Sequence, residues 1–212
     1  MGKSGFYTPA EERLNIYSHA LGLVLSVVAL VMLIWKSLYL NKELVYTISV
    51  VVYGFSLVVL YAASTLYHLQ KDPGKRLRLR VFDHAAIFVL IAGTYTPFSL
   101  VTLHGKVGWW VFGISWGLAL AGIVLKIFFT GKYSLVSTLM YIFMGWIAVF
   151  VIKPLMSNLS SDGLFWLAAG GIAYTVGAVL YSIKKIPYNH AIFHVFVLIG
   201  SACHFVSVYW YV

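Results

Sequence analysis

Seven long stretches of apolar residues dominate this chain and decide what it can fold into. They cover residues 16–36, 43–69, 81–103, 107–129, 134–156, 163–183 and 189–212, with short polar connections between them. A helix needs about 20 apolar residues to cross a bilayer. Only 10% of the chain is charged, against about 25% in soluble domains. The sequence therefore predicts an all-α protein whose residues 1–212 form a single domain, a bundle of seven transmembrane helices.

The lysines and arginines predict how these helices are oriented. Of the 15 such residues, all but Lys36, Lys42, Lys106 and Lys153 lie on the side that holds the N-terminus. Because positive residues concentrate in cytoplasmic loops, we expect a cytoplasmic N-terminus and an outside C-terminus. The basic residues are confined to short loops between the apolar spans, and this topology rule explains the net charge of +9. A nucleic-acid partner is therefore not needed to explain the charge. We therefore expect a multi-pass protein of the cell membrane.

Two local motifs predict helix starts and helix packing. Thr8 and Glu11 form a capping box with Pro9 at the first helical position, which predicts a short polar helix that leads into the first span. Gly113 and Gly117 form a GxxxG pair, a motif that lets helices approach closely. We favour packing within the chain for this pair, with dimerisation as the alternative, so the oligomeric state stays open.

Ionisable residues that are costly inside a membrane fall at one depth. Such residues in spans usually have a function. In the predicted orientation, six ionisable residues of the spans each lie within roughly five residues, or about 8 Å, of the cytoplasmic end of their span. They are His19, His68, Asp83, His84, His190 and His194. Four separate helices would thus place imidazoles or a carboxylate in one layer of the membrane.

Part of this layer has the spacing of a zinc site. His190 and His194 lie four residues apart, so they share a helix face and suit one zinc ion. His68 would add a third ligand, and three histidines with an open position are typical of catalytic zinc. The glutamate of HExxH proteases is absent, so Asp83 is the best candidate for a general base. Ser64 shares a face with His68 and could hydrogen-bond the attacking water or an oxyanion.

Each of these residues also has a plainer interpretation. A single HxxxH motif is weak support for a metal site. Asp83 could interact with the dipole of its helix or pair with Arg80, and His68 could cap its helix at the membrane surface. His19 and His84 are expected to be interfacial residues or to hydrogen-bond the ligands. Taken together at one depth, however, the residues favour a metal site.

Two further histidines lie outside this layer. His204 follows His194 by ten residues, which is about 15 Å along a helix. It is too far away for the same metal and is expected to bond across helices. His104 is expected in an outer loop and has no evident partner.

The motifs and their order resemble those of a known family. They are Glu11–His19, Ser64–His68, Phe82–His84, Gly93–Pro97 and His190–His194, and they span nearly the whole chain. In this order they are similar to the progestin and adipoQ receptor superfamily, most closely to its bacterial hemolysin III branch. The resemblance implies seven helices with a cytoplasmic N-terminus.

The resemblance also implies a site and an activity. Zinc would be held by His68, His190 and His194, with Asp83 and Ser64 close to the reacting water. The implied activity is ceramidase-like hydrolysis of membrane lipid amides, with membrane lipid as the partner and a role in membrane-lipid homeostasis. The alternative is a non-enzymatic cytolysin, pore-former or lipid-state sensor with a structural zinc. Spans four and five contain few polar residues, which argues against a wide water-filled pore.

Overall fold

Helices make up nearly all of the chain, and the computed structural model describes residues 7–129 and 134–212. The helices are α1 (Pro9–Tyr39), α2 (Leu44–Leu69), α3 (Pro73–Pro97), α4 (Gly105–Phe129), α5 (Ser134–Gly145), α6 (Ile152–Asn158), α7 (Ser161–Ser182) and α8 (Asn189–Tyr211). A π-helical segment, Phe98–Leu103, continues α3, and a 3-10 segment, Ile147–Val151, joins α5 to α6. Within the described residues, seven helical units are long and apolar enough to cross a membrane. The predicted all-α, seven-helix fold is confirmed, and the protein is a multi-pass integral membrane protein.

Helices α1 and α3 begin well before the apolar runs that predicted them. The hydroxyl of Thr8 accepts a hydrogen bond from the Glu11 backbone N–H at 3.3 Å, as the capping motif predicts. A carboxylate oxygen of Asp72 accepts from the Lys75 N–H at 2.8 Å, with proline at the first position of α3. Caps of this kind satisfy the free N–H groups of a first turn. The polar layer consequently lies about 15 Å inside α1 and α3, and not at their ends.

Prolines explain the two irregular segments. Pro97 ends the regular part of α3 and is followed by the π-helical segment. The 3-10 segment of the fifth span precedes Pro154, whose missing N–H cannot bond the carbonyl four residues earlier. The fifth span is thus a broken helix, which the apolar pattern alone did not reveal.

The glycines show which helix faces are in close contact. A Cβ atom at Gly122 would collide with the ring of Phe88, so α4 packs closely on α3 there. In contrast, a Cβ at Gly113 or at Gly117 would meet nothing within 4 Å in the described part of the chain. The expectation that this GxxxG pair packs within the chain is therefore wrong.

Candidate metal centre

Helices α2 and α8 bring three histidines together, and α1 packs against both helices. His68 lies in the last turn of α2, whereas His190 and His194 lie in the first two turns of α8. One ring nitrogen from each histidine lies within 4.8 Å of the others. All three side chains are buried. The structure thus places the three predicted ligands in one group that could hold a metal ion.

The spacing of the nitrogens suits a tetrahedral metal ion. Nε2 of His68 and Nε2 of His190 face each other at 3.1 Å. Two nitrogens on a tetrahedral zinc, each about 2.0–2.1 Å from the metal, are separated by roughly 3.3 Å. The Nδ1 atom of His190 is buried without a hydrogen-bond partner in the described chain. The donor set, three imidazoles with none of the oxygen ligands that Ca²⁺ and Mg²⁺ prefer, fits zinc.

Residues of α1 fix which nitrogens of the ligands are free. Nδ1 of His68 donates to a carboxylate oxygen of Glu12 at 3.3 Å. The Ser18 hydroxyl donates to the carbonyl of Asn15, so its oxygen accepts from Nδ1 of His194 at 3.2 Å. In the neutral form of both histidines this leaves Nε2 without a proton and free to bind a metal. Such partners orient metal-ligating histidines and raise their basicity.

A buried arginine holds Glu12 in place. The guanidinium of Arg76 forms an ion pair with Glu12 and is itself 4% exposed. The same group donates to the carbonyls of Tyr67, His68 and Gln70 at 3.1–3.4 Å. These carbonyls end α2, where a cation is favoured by the helix dipole. Arg76 therefore joins the end of α2, the start of α3 and the carboxylate that supports His68.

Two tyrosine rings cover His190 on the side of the histidine group that faces the nearer end of the bundle. The Tyr7 ring stacks on His190 with centroids 4.7 Å apart and an interplanar angle of 15°. Burial raises the pKa of the Tyr7 phenol above its usual range, so the phenol stays neutral. The phenol lies beside Tyr181, which also contacts His190. These rings separate the metal centre from the end of the bundle.

His19 is a fourth imidazole in contact with the group. Its ring is stacked on His194 with a centroid separation of 3.4 Å and lies edge-on to Tyr61. Neither of its nitrogens has a hydrogen-bond partner within the described residues. His19 and His84 were expected to be interfacial or to hydrogen-bond the ligands; His19 does neither, since it is buried and stacks on His194. His84 lies on α3, half-buried, with its Nδ1 atom unpartnered in the same described part of the chain.

Asp83 and Ser64 lie beside the histidines on the wall of a cavity. The Asp83 side chain is buried, lies next to the Ser64 hydroxyl and is within electrostatic range of His68. Both residues line a cavity of about 260 Å³, together with His190 and His194. The structure thus brings the predicted base and hydroxyl to the same cavity as two of the predicted ligands.

The cavity is long and mainly apolar. It runs along α3 into the start of the π-helical segment, from Arg80 to Phe98, a length of about 27 Å at 1.5 Å per residue. Its other walls come from α2, the broken fifth span, α7 and α8. His204 lines the part distant from the three histidines and donates to the carbonyl of Leu167 at 3.1 Å. The predicted cross-helix bond of His204 is confirmed. The ring of His104 lies 2.6 Å from the carbonyl of the preceding residue, Leu103.

The residues that support the histidines, Glu12 and Ser18, were not predicted from the sequence. Glu12 and Ser18 were given no role because the sequence alone does not show which face of the first helix meets the histidines. A helix that begins at Pro9 carries Glu12, Asn15 and His19 on one face, at spacings of three and four residues. A polar stripe on an apolar helix would have indicated that this face is buried against other polar groups.

Seven membrane-spanning helices around a buried three-histidine group define the class of this protein. The family described as Haemolysin-III related matches residues 7–205. The chain is 46% identical to Hemolysin-3 of Bacillus cereus over 204 residues, which are 95% of this chain and 92% of the relative. It is 45% identical to the Hemolysin-3 homolog of Bacillus subtilis (strain 168) over 206 residues, 97% and 96% of the two chains.

A more distant relative is found in animals. The chain is 30% identical to the monocyte to macrophage differentiation factor of Homo sapiens over 220 residues, 98% of this chain and 88% of the relative. The protein belongs to the haemolysin-III-related family. The predicted resemblance to the hemolysin III branch of the progestin and adipoQ receptor superfamily is thereby confirmed.

Proposed function

We propose that this protein is a zinc-dependent hydrolase of membrane lipid amides. The observation that carries the proposal is that two of the three grouped histidines, His190 and His194, line a long apolar cavity together with Asp83 and Ser64. Apolar cavities with a few polar groups at one point are typical of sites for small amphiphiles. An acyl chain would occupy the apolar length, with the amide at the histidine end.

Zinc at the three histidines would supply a Lewis acid that polarises the amide carbonyl. Asp83 would accept the proton of the attacking water and deliver it to the leaving amine, which completes the hydrolysis to a carboxylic acid and an amine. Ser64 would donate a hydrogen bond to the oxygen that becomes negative in the transition state. Glu12 and Ser18 would keep His68 and His194 in the form that binds the metal.

Asp83→Asn tests the proposal, because it keeps the shape of the side chain and removes its basicity. Hydrolysis of a ceramide-like lipid by protein in bilayer nanodiscs should fall by about 10²–10⁴-fold. The bound zinc should be retained, since the three imidazoles are unchanged. Asp162→Asn makes the same chemical change at the start of α7, distant from the histidines, and should leave hydrolysis unchanged.

The second candidate is a non-enzymatic lipid sensor or cytolysin in which zinc is structural. It is favoured by the way the histidine group and its partners Glu12 and Ser18 join α1, α2 and α8. In that case, zinc-loaded wild-type protein would release no product from any lipid amide. The substitution at Asp83 would then alter thermal stability alone.

A further inference from the structure

Residues 7–12, which we term the N-terminal strap, cross the end of the bundle next to the three histidines. The ring of Tyr7 stacks on His190 with centroids 4.7 Å apart, and its centroid is 5.8 Å from that of His68. The Tyr7 phenol lies beside Tyr181 on α7. The first residue of the strap is therefore in contact with two of the three predicted ligands and with a neighbouring helix.

Glu11 of the strap lies at the start of α8, which has no cap of its own. Tyr188 precedes α8 with a left-handed backbone (φ 56°), and its side chain makes no hydrogen bond to the helix start. The first N–H groups of a helix lack partners within the helix. The Glu11 carboxylate lies against one of them, the backbone N–H of His190, where the helix dipole favours a negative charge. Glu11 thus ties the strap to the turn that carries His190.

The strap is held by side chains, and its other side faces water. Besides Tyr7 and Glu11, the contacts include Glu12, which pairs with His68 and Arg76. Residues 8–10 between them are exposed. A first helical turn that is bound on one side and solvated on the other opens locally at a lower cost than the core of a bundle.

A metal ion approaches the histidines more easily past the strap than through the membrane. The cavity bordered by His190 and His194 is mainly apolar, and moving an ion from water into such surroundings is costly. At the strap, Tyr7 contacts His190 and is itself partly exposed, so its ring separates this ligand from water. The carboxylates of Glu11 and Glu12 would also attract a cation to this end.

We propose that the N-terminal strap is a lid over the three histidines, which the contacts of Tyr7 and Glu11 hold closed and which opens to let the metal ion enter and leave. Because the same contacts break for both events, they slow entry and release together and leave the equilibrium affinity nearly unchanged. Glu12 differs, since its bond to Nδ1 of His68 bears on affinity. The inference rests on the metal site of the proposed function, and it requires neither lipid nor turnover.

Stopped-flow measurement of zinc exchange by the purified protein in nanodiscs tests the lid. Entry is followed into the metal-free protein, and release is followed from the loaded protein to an excess of fluorescent chelator. Both rate constants should rise in Tyr7→Ala, and by about tenfold in Tyr7→Ala/Glu11→Gln. The dissociation constant should change by less than about threefold. Weaker affinity without faster entry would show that the two residues only support the ligands, and would overturn the lid.

Two variants serve as controls for the exchange rates. Tyr7→Phe keeps the stacked ring, so its rates should stay within about threefold of the wild type. Tyr17→Ala makes the same truncation as Tyr7→Ala at a residue of α1 that is 69% exposed, and should leave both rates unchanged. Equal acceleration in Tyr17→Ala and Tyr7→Ala would mean that exchange follows the general stability of α1, which would contradict the assignment.

A second measurement tests the lid without any metal. Diethyl pyrocarbonate modifies accessible neutral imidazoles, and mass spectrometry locates the product on each histidine. In the metal-free protein, His190 should react about tenfold faster in Tyr7→Ala/Glu11→Gln than in the wild type. His104, exposed at the opposite end of the bundle, is the internal reference and should react equally in both. Equal reactivity of His190 in the two proteins would overturn the lid, whereas a lack of lipid hydrolysis would bear on the proposed function alone.

Discussion

The hydrogen bond between Glu12 and His68 is expected to set how tightly the three-histidine group binds zinc. Glu12→Gln preserves the size of the side chain but replaces the carboxylate that accepts from Nδ1 of His68 at 3.3 Å with a neutral amide, whose oxygen is a weaker acceptor. The same change leaves Arg76 without the carboxylate of its ion pair. His68 consequently becomes a weaker base and is less firmly oriented.

The expected loss of zinc affinity follows from the role of such partners in metal sites. Mutation of the hydrogen-bond partner of a ligating histidine typically weakens metal binding by about 10–100-fold, which corresponds to about 1.4–2.7 kcal/mol. The Glu12 side chain is 16% exposed, so water screens the interaction only in part. Titration of the protein against a fluorescent zinc chelator measures the change directly.

Glu43→Gln is the matched control for this titration. Glu43 precedes α2 at the opposite end of the bundle and makes no side-chain hydrogen bond to the helix N-terminus. The control should bind zinc as the wild type does. Wild-type zinc affinity in Glu12→Gln, or an equal loss in both variants, would refute the role assigned to Glu12.

Three further predictions follow from the fold and the site. Zinc that binds only the folded protein adds stability, about 2.7 kcal/mol at a hundred times its dissociation constant, so chelation should lower the melting temperature of wild-type protein but not of His190→Ala/His194→Ala. Gly122→Ala should destabilise the protein by about 1–3 kcal/mol in thermal unfolding, because its Cβ collides with Phe88; Gly113→Ala, with nothing nearby, is the control. Reporter fusions at the two termini should report opposite sides of the membrane, and the same side for both would contradict the seven-span topology.

The transmembrane spans were predictable from the sequence, because a helix surrounded by lipid requires a long apolar run that helices of soluble proteins do not need. The start of α1 at Pro9 was predictable from its capping box, whereas the start of α3 was not, since Pro73 begins polar turns that extend α3 beyond the apolar region. The pair Gly113 and Gly117 was misinterpreted because the motif does not distinguish a face packed within the chain from one that faces outward. Its spacing is the same in both cases.

The histidines of the site were predictable for a different reason. Residues such as His190 and His194 are costly in a membrane, and their spacing on one helix can be read without knowledge of other helices. The partners of these ligands belong to α1, and their contacts depend on how that helix rotates and packs. Lys126 was likewise counted only as a cation on the side of the N-terminus, although the contact of Gly122 with α3 turns it toward the cavity.

Elemental analysis of the purified protein is the most direct test of the metal centre. Protein prepared without chelators and supplied with zinc should contain one zinc ion per chain, and His190→Ala/His194→Ala should contain almost none. Wild-type protein without zinc, or a double variant that retains a full equivalent, would show that the three histidines do not form the site.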